Sequence, residues 1–282
     1  MNLAELLQLM PGGGRTMTLD AMKPVIRKLL HTLDFLHSEA GIVHTDIQPK
    51  NLLLPAPSAD ALSAFEQREL SSPAPRKVAR GRTIYTTSRF PAGDGLPQLI
   101  GLGQARSMRR DYDEPIAMPD HYRAPEVLLN SEWGMKLDIW SVAMTAWDMV
   151  SPQPLIQAPT KDGISNNVAH IAELIALLGP PPPTLLKWKA SREFWDENGR
   201  WRNLAPIPAR IMEELAAGIQ GERDDVEGFL RWLRSALRWI PQDRPTAQGL
   251  LNDPWLLKGG RGYWARGCLT TVRLERERRK DA

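Results

Sequence analysis

The chain is poor in cysteine, in long apolar runs and in any large excess of charge. Its single cysteine, Cys268, excludes an internal disulfide framework and a multi-cysteine zinc site. No apolar run approaches the ~18 residues of a membrane span. Residues 1–30 lack the basic-then-apolar layout of a secretory signal. A cytoplasmic or nuclear protein with no membrane partner is therefore expected. The early glycines, Gly12-Gly13-Gly14, lack the Gly-x-Gly-x-x-Gly spacing of a phosphate-cradling loop. What is present suits a globular chain: 282 residues, 42% hydrophobic and 24% charged. That length allows one large domain or two small ones. Proline is the excess, at 24 residues or about 8.5%, against an average near 5%. Frequent turns and sharply bounded helices follow.

The net charge of +3 is unevenly placed. Residues 258–282 carry eight lysines and arginines against three acids, leaving the rest of the chain slightly acidic. Such a tail suits an acidic partner or nucleic acid. The plainer reading, a solvated helix end, is preferred, and nucleic acid is not expected as a partner.

Apolar periodicity predicts a mainly helical chain. A short helix covers Leu3 to Leu9. A long one covers 19–38, with Met22, Val25, Ile26, Leu29, Leu30, Leu33 and Leu36 on one stripe, a cap at Thr18 or Asp20, and a stop at Gly41. A helix over about 137–150 is apolar almost all round and so is expected to be buried. Others fall at about 165–178, 225–239 and 246–251. Residues 55–97 interrupt the pattern with six prolines, a helix near 58–70 capped by Ser58, and one β-type run, Thr83 to Thr87. So long a segment reads as an insertion with partial structure of its own.

Between the apolar runs Ile42-Val43 and Leu52-Leu53-Leu54 lies His44-Thr45-Asp46-Ile47-Gln48-Pro49-Lys50-Asn51. A carboxylate followed five residues later by an amide, on a loop between strands, can set both against one phosphate. The carboxylate then accepts a hydroxyl proton while the amide oxygen ligates magnesium. Alone the pair is a weak signal. Here three more patterns follow in order: Tyr122-Arg123-Ala124-Pro125-Glu126, Asp138-Ile139-Trp140-Ser141 and Asp243-Arg244-Pro245-Thr246.

Together these resemble the C-terminal lobe of a protein kinase. The resemblance implies a mainly α fold with short β-hairpins over residues 1–257, including the insertion 55–97, followed by a basic tail at 258–282. It implies Asp46 as catalytic base, Gln48 at the position of the phosphate-contacting lysine, and Asn51 as magnesium ligand. Leu53 would be the apolar floor under the adenine of ATP. Glu126 and Arg244 would form a buried ion pair, and Asp138 would hold the catalytic loop from below. His-Thr-Asp, the insertion, Leu178-Gly179-Pro180-Pro181-Pro182, the segment from Phe194 to Trp201 and Asp253-Pro254-Trp255-Leu256 are similar to kinases of the SR-protein kinase type. Pro75-Arg76-Lys77 ahead of an Ile-Tyr strand resembles the fungal branch. Members transfer the ATP γ-phosphate to serines of Arg/Ser-rich proteins.

Several departures point away from catalysis. The chain begins where a kinase has its fourth helix, so the small N-terminal lobe is expected to be absent. Gly101, in Leu99-Ile100-Gly101-Leu102-Gly103, stands where the magnesium-bridging aspartate belongs. Gln48 replaces the phosphate lysine, and Lys50 is expected to aim elsewhere. Phosphoryl transfer rests on positioning and charge neutralisation, and every ~1.4 kcal/mol of transition-state stabilisation is tenfold in rate. An inactive family member is therefore expected, with ATP and magnesium binding in doubt. Three readings stay open: an impaired kinase, a pseudokinase that docks Arg/Ser-rich proteins or another kinase, and a truncated gene product. Between Gly103 and Glu126 the hydroxyl residues are Ser107, Tyr112 and Tyr122, which argues against switching by loop phosphorylation. The Trp140/Trp147 and Trp232/Trp239 pairs read as core, His31 and His37 as packed or surface residues, and Arg76, Lys77, Arg80 and Arg82 as a solvated insertion face.

Overall fold

Asn2 opens helix α1 (Leu3–Leu9) through a reciprocal cap. Its side chain accepts from the Glu5 N–H, and the Glu5 carboxylate accepts from the Asn2 N–H, both at 2.9 Å. The computed structural model describes residues 1–10, 16–86, 92–108, 118–157, 160–161, 164–165 and 167–259. Helix α2 (Leu19–Phe35) is capped by Thr18, whose hydroxyl accepts from the Ala21 N–H. Its expected apolar stripe is buried from Met22 to Leu33, and Leu36, beyond its end, is half-buried. A five-residue π turn (Leu36–Ala40) and then Gly41, at φ +62, end it. Glycine takes that left-handed conformation without steric cost.

Strand β1 (Ile42–Val43) follows, then the polar loop and β2 (Leu52–Leu53). The insertion contributes helix α3 (Ala59–Ser71), capped by Ser58, and the strands β3 (Arg76–Ala79) and β4 (Arg82–Tyr85). The chain returns as β5 (Gln98–Leu99) and β6 (Arg106–Ser107), which pair antiparallel with β2 and β1. Two short ribbons thus fix both ends of residues 44–51. The insertion leaves and re-enters at one point, where the Gly93 N–H donates to the Pro55 carbonyl at 2.9 Å. Only glycine fits there, since a Cβ would lie 2.0 Å from the Ala56 oxygen.

After the single turn α4 (Pro125–Leu128) comes α5 (Lys136–Val150), buried throughout except at Lys136 and Asp148. The ribbon β7 (Thr160–Lys161) and β8 (Ile164–Ser165) precedes α6 (Asn167–Leu178), which stops at Gly179. The single turns α7 (Ser191–Phe194) and α8 (Met212–Leu215) lead to α9 (Arg223–Ala236), α10 (Ala247–Leu251) and α11 (Pro254–Leu257). Helix α2 packs on α5 and α10, and α9 on α5 and α11. At the centre Phe229 stacks on Trp147 and Trp232, each at 6.4 Å, with Trp255 beside it. Burying such a ring contributes about 1.5–3 kcal/mol or more. Lys23, also buried, ties α2 to α9 through Asp225 at 2.5 Å.

The described residues are about half helical, with strands of two to four residues. Helix α9 begins two residues earlier and ends three earlier than its periodicity predicts, because Leu237 turns off as the cap. Trp232 and Trp239 are both in the core, and Trp239 also donates to the Gly179 carbonyl at 3.1 Å. The β-type run shortens to Arg82–Tyr85, and its partner β3 was not anticipated. Gly12 to Gly14, Thr87, Tyr112, Cys268 and the tail beyond Gly259 lie outside the described residues. Among the described residues no helix is long and apolar enough to cross a membrane.

Candidate functional site

The polar loop is anchored from beneath by Asp138, in the first turn of α5 and fully buried. Its carboxylate accepts from the backbone N–H of His44 at 2.8 Å and of Thr45 at 2.9 Å. His37 Nε2 donates to the same carboxylate at 2.8 Å. Three donors satisfy a buried charge that would otherwise be costly. Thr45 is held at φ +68, a left-handed conformation costing about 1–3 kcal/mol for a side chain of this kind. Its N–H bond to Asp138, and its hydroxyl donating to the Gln104 carbonyl at 2.8 Å, hold it there.

Asp46 follows. Its carboxylate accepts from Gln48 Nε2 and, at 2.8 Å, from Asn51 Nδ2, which also donates to the Asp46 carbonyl at 2.7 Å. The short turn Pro49–Asn51 brings these side chains round. Lys50 does not aim elsewhere: its ammonium lies 3.8 Å from Asp46 Oδ2. His44 bridges two backbone groups, accepting at Nδ1 from the Asp46 N–H (3.3 Å) and donating from Nε2 to the Ile100 carbonyl (3.0 Å). The loop is thereby fixed against the segment carrying Gly101.

Gly101 lies at φ +89, after the Ile100 N–H has donated to the Asn51 carbonyl at 2.9 Å. A Cβ on Gly101 would meet the Asn51 amide group at 2.9–3.1 Å. The Asn51 side chain therefore takes up the space a residue here would need. Among the described residues no three His, Cys, Asp or Glu side chains gather as a metal site. Leu53, on β2, is 39% exposed, and Ile100 and Leu102 beside Gly101 are exposed too.

Glu126 and Arg244 meet through two bonds of 2.7 and 2.6 Å with both side chains fully buried. Arg244 also donates to the carbonyls of Lys136 and Arg238 and lies 5.0 Å from the Trp140 ring. On the other side of the loop an open cleft of about 360 Å³ is lined by Gln48, Lys50, Tyr122, Asp148, Gln8 and Gln153, among others. Tyr122 donates to Asp148 at 2.7 Å. Burial raises the Asp148 carboxyl above its ordinary value, and burial with the Asp148 charge pushes the Tyr122 phenol well up. The tyrosine stays a donor.

Asp46, Gln48, Lys50 and Asn51 thus share one loop; Asp138 lies directly beneath it, and Glu126 and Arg244 meet elsewhere as a separate pair. The sequence reading missed two contributors. His37 was read only as a packed or surface residue, and Asp148 was not singled out, although an acid on so apolar a helix is a signal in itself. The model of the protein kinase domain family matches residues 1–256. The chain belongs to the protein kinase family. A serine/threonine protein kinase of Aspergillus fumigatus is 36% identical over 84% of this chain and 58% of its own length. The serine/threonine-protein kinase SKY1 of Saccharomyces cerevisiae is 33% identical over 70% of the chain, and the human SRSF protein kinase 3 is 30% identical over 56%. The chain spans about 58% of the length of the first of these kinases and 28% of each of the other two.

Proposed function

We propose that this member of the serine/threonine kinase family is a catalytically impaired protein of SR-protein kinase type that retains binding of a cationic, Arg/Ser-rich polypeptide. The observation that carries this reading is the contact between Gly101 and Asn51. Where the resemblance calls for a magnesium-holding carboxylate there is no side chain, and the Asn51 amide takes its space.

Magnesium in nucleotide sites keeps near-octahedral oxygen ligation from one or two carboxylates together with phosphates. Here one carboxylate, Asp46, is already engaged by Gln48 and Asn51, and the other donor is a single amide oxygen. This set does not fit a magnesium-bound ATP, and no transfer step is derived through one. What the chain keeps is positioning: a loop fixed by Asp138, an acceptor carboxylate at Asp46 and a cleft beside it. Asp148 gives that cleft a negative wall suited to an arginine side chain.

The competing reading, retained phosphoryl transfer, is favoured by the ordered surroundings of Asp46. Transfer of radiolabelled phosphate from magnesium-ATP to an Arg/Ser-repeat peptide separates the two. The proposal expects no incorporation above that of Asp46→Ala, no thermal shift with magnesium-ATP, and peptide binding that survives Asp46→Ala but weakens in Asp148→Ala. Incorporation abolished by Asp46→Ala would overturn it.

A further inference from the structure

The inserted hairpin carries Arg76, Lys77, Arg80 and Arg82 within seven positions, and no acid occurs between Glu69 and Asp94. Its register pairs Arg76 with Tyr85, Lys77 with Ile84, Val78 with Thr83 and Ala79 with Arg82. Arg80 and Gly81, at φ +49 and +76, form the two-residue turn favoured in such hairpins. The Thr86 N–H closes the ladder on the Pro75 carbonyl at 3.0 Å.

Hydrogen-bonded and non-bonded pairs alternate along an antiparallel ladder. Counting back from Thr86, the backbone groups of Ile84 and Arg82 face β3, and those of Tyr85 and Thr83 face outward. Among the described residues β3 and β4 pair only with each other. The side chains are uncovered too: Val78 is 72% exposed, Ile84 59% and Tyr85 66%. A lone two-stranded ribbon is marginally stable in water, and an open edge invites a third strand.

Charge decides which strand. A second copy of this hairpin, or the basic residues 258–282, would bring like charge. An unphosphorylated Arg/Ser-rich chain would be repelled in the same way, so this surface is separate from the Asp46 site. Nucleic acid would match the basic residues but leave Val78 without an apolar partner. We propose that the hairpin is a docking arm for an extended, carboxylate-rich peptide, which adds to the outer edge of β4. Alternate apolar side chains of the peptide would lie on the face of Val78 and Tyr85, and its carboxylates on the opposite face, which carries Lys77 and Arg82.

The test uses the full chain and a fluorescein-labelled peptide of alternating glutamate and valine, read by anisotropy. Controls are a lysine–valine peptide, an Arg/Ser-repeat peptide and a single-stranded RNA dodecamer. The glutamate–valine probe is expected to bind, more weakly as salt rises, and to lose at least about tenfold in affinity with Lys77→Glu and Arg82→Glu combined. Tyr85→Pro, which removes an outward N–H and leaves the ladder bonds intact, is expected to do the same. A probe N-methylated at alternate residues leaves the protein unaltered and is expected to fail. Equal binding of the N-methylated probe, no binding of the parent probe, or tighter binding of the RNA would each overturn the proposal.

Discussion

A buried histidine and a buried ion pair carry opposite kinds of electrostatic risk. His170, on α6, has both ring nitrogens buried and, among the described residues, without a hydrogen-bond partner. Burial first, and then the charges of Arg123 and His121, lower its pKa from 6.5 to about 3. The unfolded chain binds a proton near pH 6.5 that the folded chain refuses. Stability from this group is therefore complete above pH 6.5 and lost as pH falls toward 3, at up to about 1.4 kcal/mol per unit. Urea midpoints measured across that window should fall less steeply in His170→Leu than in the parent; equal slopes would contradict this. The Glu126–Arg244 pair is the other case. Breaking a buried pair from one side costs about 3–5 kcal/mol. Arg244→Ala should lie at the upper end, since it strands the Glu126 carboxylate together with the Lys136 and Arg238 carbonyls. Glu126→Leu with Arg244→Met should cost less than the sum of the two single changes, as a denaturation cycle would reveal.

At the scale of elements, the loop 44–51 depends on α5 more than on itself. Asp138→Asn removes one of two acceptor oxygens and the charge that orients His37. Amide exchange at residues 44–51 should rise while the centre of α5 stays protected. Helix α9 depends on a missing side chain. A Cβ on Gly228 would meet Trp255 at 2.3 Å, so Gly228→Ala should destabilise by about 1–3 kcal/mol. That outcome runs against the ~1 kcal/mol gain in helix propensity, and a raised melting temperature would refute it.

The helices were readable because each writes its buried face into its own three-and-four spacing, as Met22 to Leu33 do. That Asp46 and Asn51 meet was readable because they are close in sequence. What could not be read depends on distant partners. Strand β3 has no alternation of its own and exists through β4. The His37–Asp138 bond spans 101 positions, and the aim of Lys50 is set by the turn at Pro49.

Across the whole molecule, stability is divided unequally. The core of α2, α5, α9 and α10 encloses the central aromatic rings, whereas α3 has no buried residue and the hairpin is exposed. Local opening should concentrate in 55–93. None of the ten tryptophans lies there. Limited proteolysis should therefore cut within 55–93 while tryptophan emission and the main thermal transition stay unchanged. Simultaneous loss of emission would show that the insertion supports the core.

The closing bond between Pro55 and Gly93 has a practical side. The described residues between them leave and return one hydrogen bond apart, so β2 and β5 need take no register from them. The segment from Ser58 to Tyr85 is therefore an exchangeable cassette, and loop entropy grows only slowly with length. A fluorescent domain with neighbouring termini could be grafted there, beside the Asp46 loop, to report on whatever settles over that loop.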